Sequence, residues 1–148
     1  MLIRKYQNSD CAELAKLFYN TVHIVNAKDY TKEQLDAWAT EQIDLVEWDR
    51  SLQEHYSLVA VVDKNITGFG DIDRTGCIDR LFVHADYQGM GIATALCDRL
   101  EFAFKGNIVT YASITAKPFF ESRGYKVLEK QRVKRKEQFL TNFFMIKR

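Results

Sequence analysis

The chain has 148 residues, 47% of them hydrophobic, and a formal net charge of +1, which suits one core-bearing unit over residues 1–148 and excludes a disordered chain or a disulfide scaffold. A near-neutral surface has no overall field to hold nucleic acid or an anionic membrane, so any charged partner would need a local patch. Three scattered cysteines, Cys11, Cys77 and Cys97, no apolar leader run and no stretch of membrane-spanning length place the chain in the reducing cytoplasm, with no membrane partner.

Leu2–Tyr6 reads as a first strand. Asn8, Ser9 and Asp10 offer N-cap side chains to a helix whose stripe is Leu14, Leu17, Phe18, Thr21, Val22 and Val25, ending near Asn26. Thr31 and Gln34 form a capping box, so a short second helix carrying Leu35 and Trp38 is expected there. Residues 39–55 read as irregular or weakly helical, anchored by Trp48 and Leu52. The period then shortens. Strands are expected over Ser57–Val62, Ile66–Ile72 and Cys77–Val83, separated by turn chemistry at Asp63-Lys64-Asn65 and Arg74-Thr75-Gly76. After a loop over His84–Gln88, Gly89-Met90-Gly91 opens a third helix with Ile92, Ala95, Leu96, Leu100 and Ala103 on one face, closed by Lys105-Gly106-Asn107. Ile108–Ala112 is a fifth strand. Thr115 is placed to cap a fourth helix with Pro118 in its first turn, and Gly124 ends it. Tyr125–Val133 and Gln138–Ile146 alternate as two closing strands. The order predicts an α/β fold of the α+β kind: a mixed, mostly antiparallel sheet of six to seven strands flanked by about four helices.

The segment Leu81-Phe82-Val83-His84-Ala85-Asp86-Tyr87-Gln88-Gly89-Met90-Gly91-Ile92-Ala93 carries the most chemistry. A strand runs into a loop with two glycines, and the loop opens a helix. First-turn N–H groups lack internal partners and carry the positive end of the dipole, so an anion such as a pyrophosphate can sit there. Glycine removes the Cβ that would block close approach. A Walker loop needs a Lys that is absent, and a dinucleotide fingerprint wants a small residue where Thr94 stands and a carboxylate that Asn107–Ala112 lacks. A plain glycine turn that only caps the helix has the same pattern.

Gln88-Gly89-Met90-Gly91-Ile92-Ala93 resembles the Arg/Gln-x-x-Gly-x-Gly/Ala acyl-CoA signature of the GCN5-related N-acetyltransferases, the GNAT family. The resemblance covers nearly the whole chain. Ile3-Arg4 with Asp10 resembles the family's opening strand and helix cap, and Leu81-Phe82-Val83 the end of its fourth strand. Ala116-Lys117-Pro118-Phe119-Phe120-Glu121-Ser122-Arg123-Gly124-Tyr125 resembles its closing helix and turn. Asp29-Tyr30-Thr31, Gln34-Leu35, Ala37-Trp38 and Ser113–Glu121 are similar to the bacterial YafP-like branch. The resemblance implies an N-acetyltransferase that binds acetyl-CoA as co-substrate and acetylates a primary amine of a small molecule or peptide in a ternary complex. Backbone N–H groups of Gln88, Gly89, Met90, Gly91, Ile92 and Ala93 would cradle the pyrophosphate. Leu81, Phe82 and Val83 would pair with the pantetheine arm like an added strand, with the Val83 N–H facing the thioester carbonyl. Ser113, Ala116 and Phe119 would line the coenzyme's path.

Amine acetylation needs a base for the amine proton and an acid for the thiolate. Many relatives place a Tyr before the Glu of the closing helix as the acid; here Phe120 stands there and cannot donate. Tyr125, Tyr111, Ser113 or solvent remain for the task. Asp79, on the strand face of Cys77 and Leu81, is the first choice as base, or else an ion-pair partner of Arg80. Asp71 and Asp73, at the end of the third strand, are lesser candidates for the base and read first as turn-adjacent solvent groups. His23, His55 and His84 are isolated, no Cys/His spacing suits zinc, and no metal is expected. His23, Tyr30, Trp38 and Trp48 are candidates for an acceptor wall or for packing. Lys126, Lys130, Arg132, Lys134, Arg135 and Lys136 form a basic stretch that reads as a solvated hairpin face or, alternatively, a nucleic-acid contact. A non-catalytic acyl-CoA sensor is the further alternative raised by Phe120. Phe139, Phe143 and Phe144 on the final strand offer pairing with a second copy as a homodimer.

Overall fold

In the computed structural model, which describes residues 1–148, the apolar runs assemble into one seven-stranded sheet in the order β1-β2-β3-β4-β5-β7-β6. The elements are β1 (Leu2–Lys5), α1 (Cys11–Val25), α2 (Lys32–Trp38), α3 (Leu45–Glu54), β2 (Tyr56–Val62), β3 (Asn65–Ile72), β4 (Cys77–Val83), α4 (Ile92–Phe102), β5 (Ile108–Ser113), α5 (Lys117–Ser122), β6 (Lys126–Arg135) and β7 (Gln138–Lys147). Every neighbouring pair is antiparallel except β4 and β5, which run parallel and pair only at Cys77–Val109 and Ile78–Thr110. Beyond those residues the two strands part. Their facing edges keep backbone groups that no strand pairs, a feature tolerated only where something else can bond them.

One apolar cluster lies under α4 and α5 and includes Ile92, Leu96, Leu100, Ile78 and Phe120. The other lies under α1 to α3 and includes Leu14, Leu17, Phe18, Leu52, Phe69 and Leu140. β3 carries glycines where α4 crosses it: a Cβ on Gly68 would stand 3.0 Å from Ile92 Cγ2. This close approach presses the N-terminal turn of α4 against the open end of β4.

Residues 45–54, within the stretch expected to be irregular or weakly helical, form a regular helix. Asp44 Oδ1 caps it by accepting the Glu47 N–H at 3.2 Å, and Arg50 pairs with Glu47 and with Glu54 along its outer face. Its single buried side chain is Leu52, and Val46 is 82% exposed; Leu45, Trp48 and Leu52 recur at helical spacing, but three residues make a short apolar stripe on a largely polar segment. Thr115 does not cap α5. Its hydroxyl donates to Asp29 Oδ2 at 2.7 Å, while Ser113 Oγ accepts the Ala116 N–H at 3.0 Å.

Candidate active site

The His84 N–H donates to Thr67 O at 2.8 Å across β3. Alternation along an extended strand turns the backbone groups of Phe82 the same way, and those of Leu81 and Val83 toward the gap between β4 and β5. Val83 O is already engaged, accepting from Gln88 Nε2 at 2.7 Å and from Thr21 Oγ1 at 3.1 Å. Above the gap, Gly89 and Gly91 adopt φ of 74° and 81°, a region that disfavours side chains. A Cβ built on either would meet no atom within 4 Å. The glycines are therefore not packed against protein; they border open space. Gly91 provides no side-chain cap to α4, which leaves the Ile92, Ala93 and Thr94 N–H groups without intrahelical acceptors.

Around this turn lies a cavity of about 290 Å³. Leu81, Phe82, Val83, Gln88, Gly89, Gly91, Ile92, Ala93, Ser113, Ala116 and Phe119 all line it, together with Thr21 and Asn26 from the end of α1. Met90 does not: it points outward, 60% exposed. A second cavity, of about 490 Å³, meets the first at Leu81, Phe82, Ser113, Ala116 and Phe120. Its walls include Phe18, Tyr30, Trp38, Trp48 and Tyr111, and its polar groups include Asp79, Arg80, Gln131, Arg135 and Asn142. Trp38 and Trp48 serve both roles considered for them, since they pack on Phe18 and also face the cavity. Tyr30 clasps the wall: its hydroxyl donates to Thr141 O at 2.7 Å and accepts the Ile114 N–H at 2.9 Å. His23 lines neither cavity. Its Nε2 lies 2.8 Å from Ala39 O and its ring stacks on Tyr19.

A model of the acetyltransferase (GNAT) domain matches residues 26–141. The chain belongs to the GNAT family. It is 37% identical to a protein of Escherichia coli (strain K12) described as the uncharacterized N-acetyltransferase YafP, over 97% of this chain and 93% of that protein. A crystal structure of a GCN5-related N-acetyltransferase from Rhodopseudomonas palustris superposes with a TM-score of 0.95 at 31% identity, covering 99% of this chain and 94% of that one. The PaiA N-acetyltransferase of Thermoplasma acidophilum, whose structure holds coenzyme A, shares the fold with a TM-score of 0.81 at 19% identity, over 99% and 97% of the two chains. No helix of this GNAT domain is long and apolar enough to cross a membrane.

The charged groups of this GNAT site depart from the sequence reading in three places. Asp71 is no solvent group: it is 0% exposed, and its Oδ2 lies 2.8 Å from His55 Nδ1 and takes the Arg80 guanidinium. His55 is thus not isolated, and the hydrogen bond to Asp71 raises its pKa above the ordinary histidine value. Arg80 is fixed further by Ser51 Oγ at 3.0 Å and by the Trp48 ring at 4.9 Å. Asp79 therefore is not the main partner of Arg80, from which it stands 3.8 Å away. Partial burial, and next the charge of Asp71, push the Asp79 carboxyl above its ordinary value. His55, Asp71 and Asp79 bring donor atoms within 4.8 Å of one another, yet Arg80 sits on the same Asp71 oxygen as His55 and supplies the positive charge that a cation would bring. Asp73, by contrast, closes the turn before β4, accepting from Thr75 N, Thr75 Oγ1 and Cys77 N.

Tyr125 also lies elsewhere. It is 2% exposed, lines neither cavity, and donates to Glu101 Oε2 at 2.7 Å. Burial, with Cys97 and Glu101 beside it, raises the hydroxyl's pKa, the wrong direction for a proton donor. Sequence reasoning missed Phe18, Arg80, Gln131, Arg135 and Asn142 as cavity residues. Gln131, Arg135 and Asn142 belong to β6 and β7, which reach the site only because β7 inserts between β5 and β6. The alternation of β6 carried a usable signal: Gln131, Val133 and Arg135 share one face, opposite Lys130, Arg132 and Lys134.

Proposed function

We propose that this chain moves the acetyl group of acetyl-CoA to a primary amine by direct attack in a ternary complex. The observation that carries the reading is the meeting of two cavities beneath the β4–β5 gap, one bordered by bare amides and the other by aromatic walls and a carboxylate. The N–H groups around Gly89 and Gly91 and at the start of α4 would hold the pyrophosphate. The Val83 N–H and the Leu81 carbonyl would pair with the amides of the arm as it runs back along β4, and the Leu81 N–H, farther from the pyrophosphate than either, would stabilise the oxygen that gains charge during attack. Asp79 would take the amine's proton, directly or through water. Ser113 is the one hydroxyl residue shared by both cavities; it would hydrogen-bond the departing sulfur, and water would protonate the thiolate.

The second cavity also speaks to the acceptor. Its walls carry Asp79 and two arginines; Arg80 is committed to Asp71, whereas Arg135 pairs with no carboxylate. Asp79 would receive an amine and Arg135 an anionic group, which favours an amine joined to an anion over a polyamine. Purified protein mixed with acetyl-CoA and a panel of amines should release free thiol only when a suitable amine is present. Stabilisation by acetyl-CoA with no thiol release from any amine would instead support a sensor, a reading that Phe120 keeps in play.

A further inference from the structure

Asn26 sits where α1 ends, 5% exposed, and lines the coenzyme cavity beside Thr21 and Ser113. A side-chain amide removed from solvent should be fully bonded, because each unmet group costs free energy. Asn26 is not. Its Nδ2 reaches Ser113 Oγ at 3.5 Å, the long limit of a hydrogen bond. Its Oδ1 has no protein donor, yet it is not among the unpaired oxygens that are wholly enclosed, which are Asp71 Oδ1 and Asn142 Oδ1. Because Asn26 lines the cavity, the cavity is the open space within reach of this unbonded oxygen.

The neighbouring backbone explains what this oxygen is for. Resting on the acetyl-CoA reading above, a pantetheine arm lying along the gap brings two amide N–H donors, and an added strand would pass them to carbonyls of β4. The Leu81 carbonyl, turned to the gap, is open to one. The Val83 carbonyl is not, because Gln88 Nε2 and Thr21 Oγ1 occupy both its lone pairs. The donor nearer the pyrophosphate must find another acceptor. We infer that Asn26 Oδ1 accepts this pantetheine amide N–H, making Asn26 a coenzyme-binding residue that replaces the Val83 carbonyl in the pairing. The arm is therefore read by both walls of the cavity, β4 on one side and the end of α1 on the other.

Calorimetric titration with two ligands tests this without knowing the acceptor. Acetyl-CoA carries the arm, whereas 3′-phosphoadenosine 5′-diphosphate carries the nucleotide and pyrophosphate alone. In Asn26→Ala the dissociation constant for acetyl-CoA should rise about tenfold, and that for the armless nucleotide should stay within twofold of the wild-type value. Asn26→Asp retains the accepting oxygen and should recover most of the loss. Unchanged acetyl-CoA affinity in Asn26→Ala, or equal losses for both ligands, would overturn the assignment. Wild-type protein that binds neither ligand would instead remove the acetyltransferase reading on which it rests.

Discussion

Replacing Gly91 by alanine separates a turn that merely needs glycine from one that holds a phosphate. Gly91 has φ of 81° and nothing within 4 Å of a built Cβ. The substitution therefore costs stability through the left-handed backbone alone, about 1–2 kcal/mol, or roughly 3–6 °C in Tm for a chain of this size. Gly124, at the end of α5, is a matched control: its φ is 92°, a Cβ there also meets nothing within 4 Å, and it lines neither cavity. Gly124→Ala should show a similar Tm loss and bind acetyl-CoA as the wild type does. Gly91→Ala should show that Tm loss and, in addition, at least about tenfold weaker acetyl-CoA binding, equal to about 1.4 kcal/mol, because its new methyl stands where the anion approaches the amides. Thermal melts give the first quantity and calorimetric titration the second. Equal acetyl-CoA affinity in the two variants would show that the open space beside Gly91 is not the phosphate site, and the coenzyme assignment would fail with it.

Asp79→Asn should reduce turnover by about a hundredfold or more, a general-base effect, while acetyl-CoA affinity holds; equal turnover on a working amine would remove Asp79 from the proton path. Because the Asp79 carboxyl titrates above its ordinary value, wild-type turnover should fall with decreasing pH above the usual carboxylate range, and the variant should lack that limb. Burial opposes ionisation of Glu101, but hydrogen bonds from Arg123, Tyr125 and Lys147 outweigh it and hold its carboxyl at about 2. A depressed carboxyl stabilises the fold above its unfolded value of 4.5 and loses that contribution as pH falls toward about 2. Denaturant melts should show Glu101→Gln less stable by about 2–3 kcal/mol at pH 7, with the gap closing at pH 2; a gap that persists there would refute the assignment. Amino carboxylates should release thiol faster than polyamines at equal concentration, and Arg135→Ala should raise the KM of the former without altering acetyl-CoA binding; a preference for polyamines would reverse the acceptor assignment.

Local chemistry determined much of this protein by itself. The Thr31–Gln34 capping box forms as its sequence spacing requires, and Asp63 and Lys64 take the positive φ angles that turn β2 into β3. The glycines before α4 announce a bare helix start because backbone freedom and unpaired N–H groups are properties of a few consecutive residues. α3 shows in the sequence only as an irregular or weakly helical stretch because its apolar stripe is short, and its regularity owes much to the Asp44 cap and the Arg50 ion pairs. The acceptor side was decided by tertiary structure. Asp71 and His55 are separated along the chain by a whole strand, and only the pairing of β2 with β3 and the packing of α3 bring them onto Arg80. Tyr125 looked available beside a helix-ending glycine, but β7 and α4 close over it and commit its hydroxyl to Glu101. A sequence fixes what each short segment prefers. Which side chains share a cavity depends on strand order and on where β4 and β5 stop pairing, and those follow from long-range burial that no local window contains.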